Sequence, residues 1–103
     1  MRDPNTCENM GQLRTQINQI DRALVDLLTQ RMSHIDRAIE LKQGQGLPAR
    51  IDARVEDVLD RVNAEARLRG LDPNLTRKIW TQLIEWSIAR EEQVLDPAKD
   101  TKP

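Results

Sequence analysis

Apolar side chains recur at three- and four-residue steps from Leu13 onward: Leu13, Ile17, Ile20, Leu24, Leu27, Leu28, Ile35 and Ile39. That spacing gathers side chains on one face of an α-helix. With no Pro or Gly before Gly44, the pattern predicts a long first helix over 12–43. The segment Gln43-Gly44-Gln45-Gly46-Leu47-Pro48 predicts its end. A second stripe, Val55, Val58, Leu59, Val62 and Ala66, predicts a helix with Asp52 as N-cap and Gly70 just past its C-terminus. Asp72-Pro73 then reads as the cap and first residue of a third helix reaching about Val94. Its apolar positions include Leu75, Ile79, Trp80, Leu83, Ile84, Trp86 and Ile88. Strands are hard to place anywhere, so the expected class is all-α, three helices with a long first one. Residues 1–11 read as a flexible leader and 96–103 as a disordered tail around a helical domain over 12–95.

Two of these stripes contain a fault. The series 13, 17, 20, 24, 27 continues to 31, 35, 38 and 42. Ile35 and Ala38 obey it, but Arg31 and Lys42 are cations where apolar residues belong. Eleven residues return a helix to within about 20° of the same heading, and place the two about 16 Å apart along the axis. A buried cation without a partner is costly, so the pair points to a space that takes a small anion. The alternative is that both long stems carry their charges out to solvent. On the third helix Trp80, Ile84, Ser87 and Glu91 share a heading, which puts a carboxylate in line with apolar neighbours. Here the alternative is a solvated residue in the charged run Arg90-Glu91-Glu92 near a helix end.

The helix lengths raise a packing question. At about 1.5 Å per residue the first helix would be about 48 Å long, and the others about 27 Å and 33 Å. The shorter two cannot cover the longer one, which leaves Leu13, Ile17, Ile20 and Leu24 wanting a partner. A two-fold homodimer pairing the long helices would supply it.

Composition narrows the function. The 103 residues suit one domain, with 38% apolar and 32% charged residues and only Trp80 and Trp86 as aromatics. The net charge of −1 gives no basic field for nucleic acid. No run approaches 18 apolar residues, so no membrane span is expected. Cys7 is the lone cysteine, so no internal disulfide forms, and a cytoplasmic location is expected. No zinc-ligand spacing, glycine-rich phosphate loop or Ser-His-Asp pattern is present, and no metal or cofactor is expected. His34, the lone histidine, reads as a surface or partly packed residue.

The ordered set Leu13-Arg14, Ile17, Ile20-Asp21, Arg31-Met32, Lys42, a Pro-containing loop, Arg54-Val55, Gly70-Leu71-Asp72 and Trp86-Ser87-Ile88-Ala89 resembles the all-helical (type II) chorismate mutase family, which includes the isochorismate–pyruvate lyases. The resemblance covers about residues 7–95. It implies an intertwined homodimer with two identical sites for a dianionic substrate. Arg14 would reach into the neighbour's site and join Arg31 on the enolpyruvyl carboxylate. Arg54 would add positive charge near the loop, Ser87 would meet the ring carboxylate, and Lys42 would face the bridging ether oxygen. Guanidinium forks suit carboxylates. The rearrangement to prephenate is pericyclic and needs no nucleophile, metal or redox cofactor.

This chain departs from the family pattern at two positions. Many members carry Gln where this chain has Glu91. A carboxyl donates only when protonated; burial favours that form and Lys42 opposes it, so activity is expected to fall toward alkaline pH. Many mutases also carry a carboxylate where this chain has Val55, whereas the lyases have an apolar residue there. Mutase activity ranks first, lyase activity second. A non-catalytic helical dimerisation module is the alternative from a different class.

Overall fold

The computed structural model describes residues 2–96. Three helices are formed: α1, Met10–Gln45; α2, Asp52–Arg69; and α3, Pro73–Leu95. No strand occurs among the described residues. The chain divides into two compact units, and the division falls inside α1 between His34 and Ile35. The tail expected over 96–103 lies outside the described residues except for Asp96.

In the N-terminal unit the leader has local structure of its own. A 3-10 turn, Pro4–Thr6, is capped by Asp3, whose side chain accepts from the Asn5 N–H at 2.9 Å. Helix α1 begins two residues earlier than the apolar pattern indicates. Asn9 explains the difference: its side chain accepts from the Gln12 N–H at 2.9 Å and its carbonyl accepts from Leu13 at 3.2 Å, so two orphan N–H groups of the first turn are satisfied. The Gln16 amide donates to the Cys7 sulfur at 2.8 Å. Beyond that turn the stripe read from the sequence is exposed in the single chain, with Ile17, Ile20, Leu24, Leu27 and Leu28 all 41% exposed or more. His34 is exposed, and its Nδ1 lies 2.7 Å from the Gln30 carbonyl.

The C-terminal unit holds the end of α1, α2 and α3. Gly44 does not stop α1; the helix runs on to Gln45, and Gly46 ends it with φ +67°. The Leu47 N–H then reaches back to the Lys42 carbonyl at 2.9 Å, the six-to-one bond of a left-handed helix end. Helix α2 starts with Ile51, not Asp52, as N-cap. The Ile51 carbonyl accepts from both Arg54 and Val55, and Asp52 becomes an acidic first-turn residue, where its charge faces the positive helix end. Gly70 caps α2 at φ +75° and the Leu71 N–H bonds the Ala66 carbonyl at 2.8 Å. Asp72 caps α3 by accepting from the Asn74 N–H, with Pro73 as first helical residue. The core is small: Ala49, Leu59, Ile84 and Ile88, with Val55, Val58, Trp80 and Leu95 packed against it. Burying each such Leu or Ile contributes about 1.5–3 kcal/mol. The buried face of α3 also carries Thr76, Ser87 and Glu91, so its helical stripe mixes oily and polar groups.

Candidate active site

The two polar faults in the C-terminal unit meet. Lys42, in the last turns of α1, and Glu91, on the core face of α3, form an ion pair at 2.7 Å. The Lys42 side chain is 19% exposed and that of Glu91 is 6% exposed. Both therefore turn inward, as the apolar register predicts, and not out to solvent. Lys42 Nζ also donates to the Ala49 carbonyl at 2.8 Å. An ammonium carries three N–H donors, and partners among the described residues hold two of them. A buried charge is tolerated when paired and hydrogen-bonded in this way. The pair adds two charges beside a buried face of α3 that also carries Thr76 and Ser87.

Further contacts fix its walls. Ala49 is buried in the core, and Arg50 holds Glu85 of α3 through both carboxylate oxygens at 2.6 Å. The segment after α1 is therefore held down against α3. Arg90 grips Asp36 of α1 through Nε at 2.6 Å and Nη2 at 3.1 Å, and lies 5.5 Å from the Trp86 ring centre. The Arg90 guanidinium holds the Asp36 carboxyl below its ordinary value. This second ion pair joins the same two helices that present Lys42 and Glu91. Beside Lys42 lies a cavity of about 390 Å³, bordered by the 46–48 turn and by Val94, Leu95 and Asp96 at the end of α3.

The remaining candidates fall into three groups. Ser87 is buried one helical turn before Glu91, and its hydroxyl donates to the Leu83 carbonyl at 2.8 Å. Val55 is half-buried against the core at the start of α2. Arg54 next to it is exposed, and its guanidinium is engaged by Asp57 at 2.6 Å. Asp57 also takes Arg61, and the two arginines, Arg61 foremost, hold its carboxyl below the ordinary value. Arg14 and Arg31 belong to the N-terminal unit, Arg14 exposed and Arg31 partly buried. The Ala49 carbonyl, the Arg50–Glu85 pair and the Asp36–Arg90 pair were not anticipated from the sequence. They join residues distant in the chain, or use a backbone atom, and neither leaves a periodic signal. Among the described residues no group of three or more His, Cys, Asp or Glu is placed to hold a metal. No described helix is long and apolar enough to cross a membrane.

The sequence matches the family model described as chorismate mutase type II over residues 13–96. The chain belongs to the chorismate mutase type II family. Among curated relatives, a chorismate mutase of Methanocaldococcus jannaschii is 27% identical over 90% of this chain and 94% of that protein. An isochorismate pyruvate lyase of Pseudomonas aeruginosa is 29% identical over 88% of this chain and 89% of that protein. A T-protein of Enterobacter agglomerans is 32% identical over 77% of this chain, which spans 21% of its length. The type II family thus accounts for the all-helical fold and its helix order, and the resemblance read from the residues holds.

Proposed function

We propose that the protein is a chorismate mutase, acting as a homodimer on the dianion chorismate and forming prephenate. The observation that carries this reading is the inward Lys42, 2.7 Å from Glu91 and 2.8 Å from the Ala49 carbonyl. Its third N–H is the donor for the ether oxygen, on which negative charge grows as the C–O bond breaks. A donor fixed in advance at that atom stabilises the transition state more than the ground state. The arginines hold the carboxylates: Arg31 and the partner's Arg14 the enolpyruvyl group, Arg54 the region near the loop, with Ser87 at the ring carboxylate. Gripping both ends selects the compact conformer, which is catalysis by proximity. Arg54 must exchange Asp57 for substrate, which a solvent-exposed pair permits at little cost. Glu91 holds Lys42 in place at 2.7 Å, and a neutral hydrogen-bond donor at its position would reach the ether oxygen as well. The proposed place of action is the cytoplasm.

The deciding experiment offers chorismate and isochorismate separately to the purified protein. Prephenate from chorismate, with isochorismate untouched, supports the proposal. Release of pyruvate from isochorismate with chorismate unchanged replaces it with lyase activity. That second reading is favoured by Val55, an apolar residue where many mutases have a carboxylate, and by the likeness to the Pseudomonas aeruginosa lyase. Glu91→Gln tests the second donor. Gln keeps an N–H donor at that position, so Glu91→Gln is expected to retain turnover and Glu91→Leu to lose it. Wild-type turnover in the Leu variant removes Glu91 from the chemistry.

A further inference from the structure

A second cavity, of about 130 Å³, lies at the corner where α2 passes into α3. Its lining includes Leu59, Val62 and the buried Thr76 together with Asn74, Arg67 and Arg77. It is well separated from the lysine–carboxylate pair: Val62 lies seven residues beyond Val55 on α2, about 10 Å along the axis. Thr76 lies eleven residues before Ser87 on α3, about 16 Å by the same rise.

The two arginines set this corner apart. The other three arginines of α2 each pair with a carboxylate one helical turn away: Arg54 and Arg61 with Asp57, Arg69 with Glu65. Arg67 has Asn63, Ala64, Gly70 and Leu71 at its three- and four-residue positions, and Arg77 has Pro73, Asn74, Trp80 and Thr81. Neither has an acid within helical reach. Among the described residues neither guanidinium has a hydrogen-bond or ion-pair partner. The nearest acid in the turn, Asp72, is committed as the cap of α3. Two arginines without an acid partner among the described residues therefore line one small cavity whose lining is partly apolar.

The geometry points to a second binding site here, for a small organic monocarboxylate with a compact apolar body. The body would sit on Leu59 and Val62, and the carboxylate would take charge-assisted hydrogen bonds from Arg67 and Arg77. The cavity is too small for a substrate that must also be gripped at two separated carboxylates. This assignment stands independently of the activity proposed above.

The test is a titration of the full-length protein with isobutyrate, followed by backbone amide resonances. The expected result is a saturable shift at Asn63, Arg67, Asn74 and Arg77 in the millimolar range, separate from any at Lys42 and Glu91. In the Arg67→Gln/Arg77→Gln variant the apparent Kd at these amides is expected to rise at least about tenfold, as loss of two charge-assisted bonds requires. Both residues are exposed, so the fold is retained, and an unchanged amide spectrum elsewhere checks this. Isobutyramide, of the same shape without charge, is expected to give no saturable shift. Shifts confined to the Lys42–Glu91 region, or equal affinity in the double variant, overturn the assignment.

Discussion

Lys42 is the residue on which both the proposed chemistry and the buried ion pair of the C-terminal unit rest. Removing its charge leaves Glu91 and the Ala49 carbonyl without their donor, and orphaning a buried charge costs about 3–5 kcal/mol. The 19% exposure of the Lys42 side chain places the cost at the lower end of that range. Lys42→Met is therefore expected to lower the melting temperature and to cut turnover by about 10²–10³, the loss seen when a transition-state donor is removed. The companion Lys42→Met/Glu91→Leu removes both charges. It is expected to recover most of the lost stability and none of the activity, because apolar replacement of a whole buried pair is close to neutral. Thermal melts and chorismate turnover on both variants check this. Recovery of activity in the double variant would assign catalysis elsewhere. Glu91 could be read either way from sequence, as a core carboxylate or a solvated one. The stripe through Trp80, Ile84 and Ser87 gave its direction; its partner Lys42 lies 49 residues away and no local pattern announces it.

At the scale of helices, the sequence signals that acted were backbone signals. Gly70 and Asp72-Pro73 mark the α2–α3 corner correctly because glycine alone accepts φ +75° without cost and an aspartate cap has a fixed reach. Gly70→Ala meets no neighbour within 4 Å, so its cost is pure backbone strain, about 1–2 kcal/mol, measurable by denaturant unfolding. Gly44 and Asp52 misled by one or two residues, since a helix end tolerates an inner glycine and any residue whose carbonyl starts the ladder can stand at the cap. One of the two ion pairs that join α1 to α3 was not legible in the sequence. It joins Asp36 and Arg90, which are charged and half-exposed like many surface residues. Arg90 holds the folded-state carboxyl of Asp36 below its ordinary 3.8. A depressed carboxyl contributes stability that is complete above the unfolded value and is lost as pH falls through the folded one. Melting temperatures of wild type and Asp36→Asn are therefore expected to differ near neutral pH and to converge below 3.8. A gap that persists unchanged into strong acid would show that the pair contributes nothing through charge.

At the scale of the whole molecule, the unanswered demand is the apolar stripe of α1. Ile17, Leu24 and Leu27 are 45%, 52% and 58% exposed in the single chain, and a contiguous exposed patch on a helix calls for a partner. The net charge of −1 offers little repulsion to a second copy. Proposed dimerisation and proposed catalysis become one question through Arg14, which in the family resemblance serves the partner's site. Arg14→Ala and Lys42→Met are each expected to be inactive as pure dimers, since every site then lacks one group. Mixed by refolding together, half the dimers carry one of each. In those, the site built on the intact Lys42 receives the intact Arg14 of the other protomer, while the second site lacks both. Recovered turnover should approach about a quarter of wild type per site, the value that two-fold exchange of one residue imposes. A monomer, or a dimer whose Arg14 stays in its own protomer's site, can give no recovery on mixing. Sedimentation of the same samples separates those two outcomes, because only the second sediments as a dimer while remaining inactive.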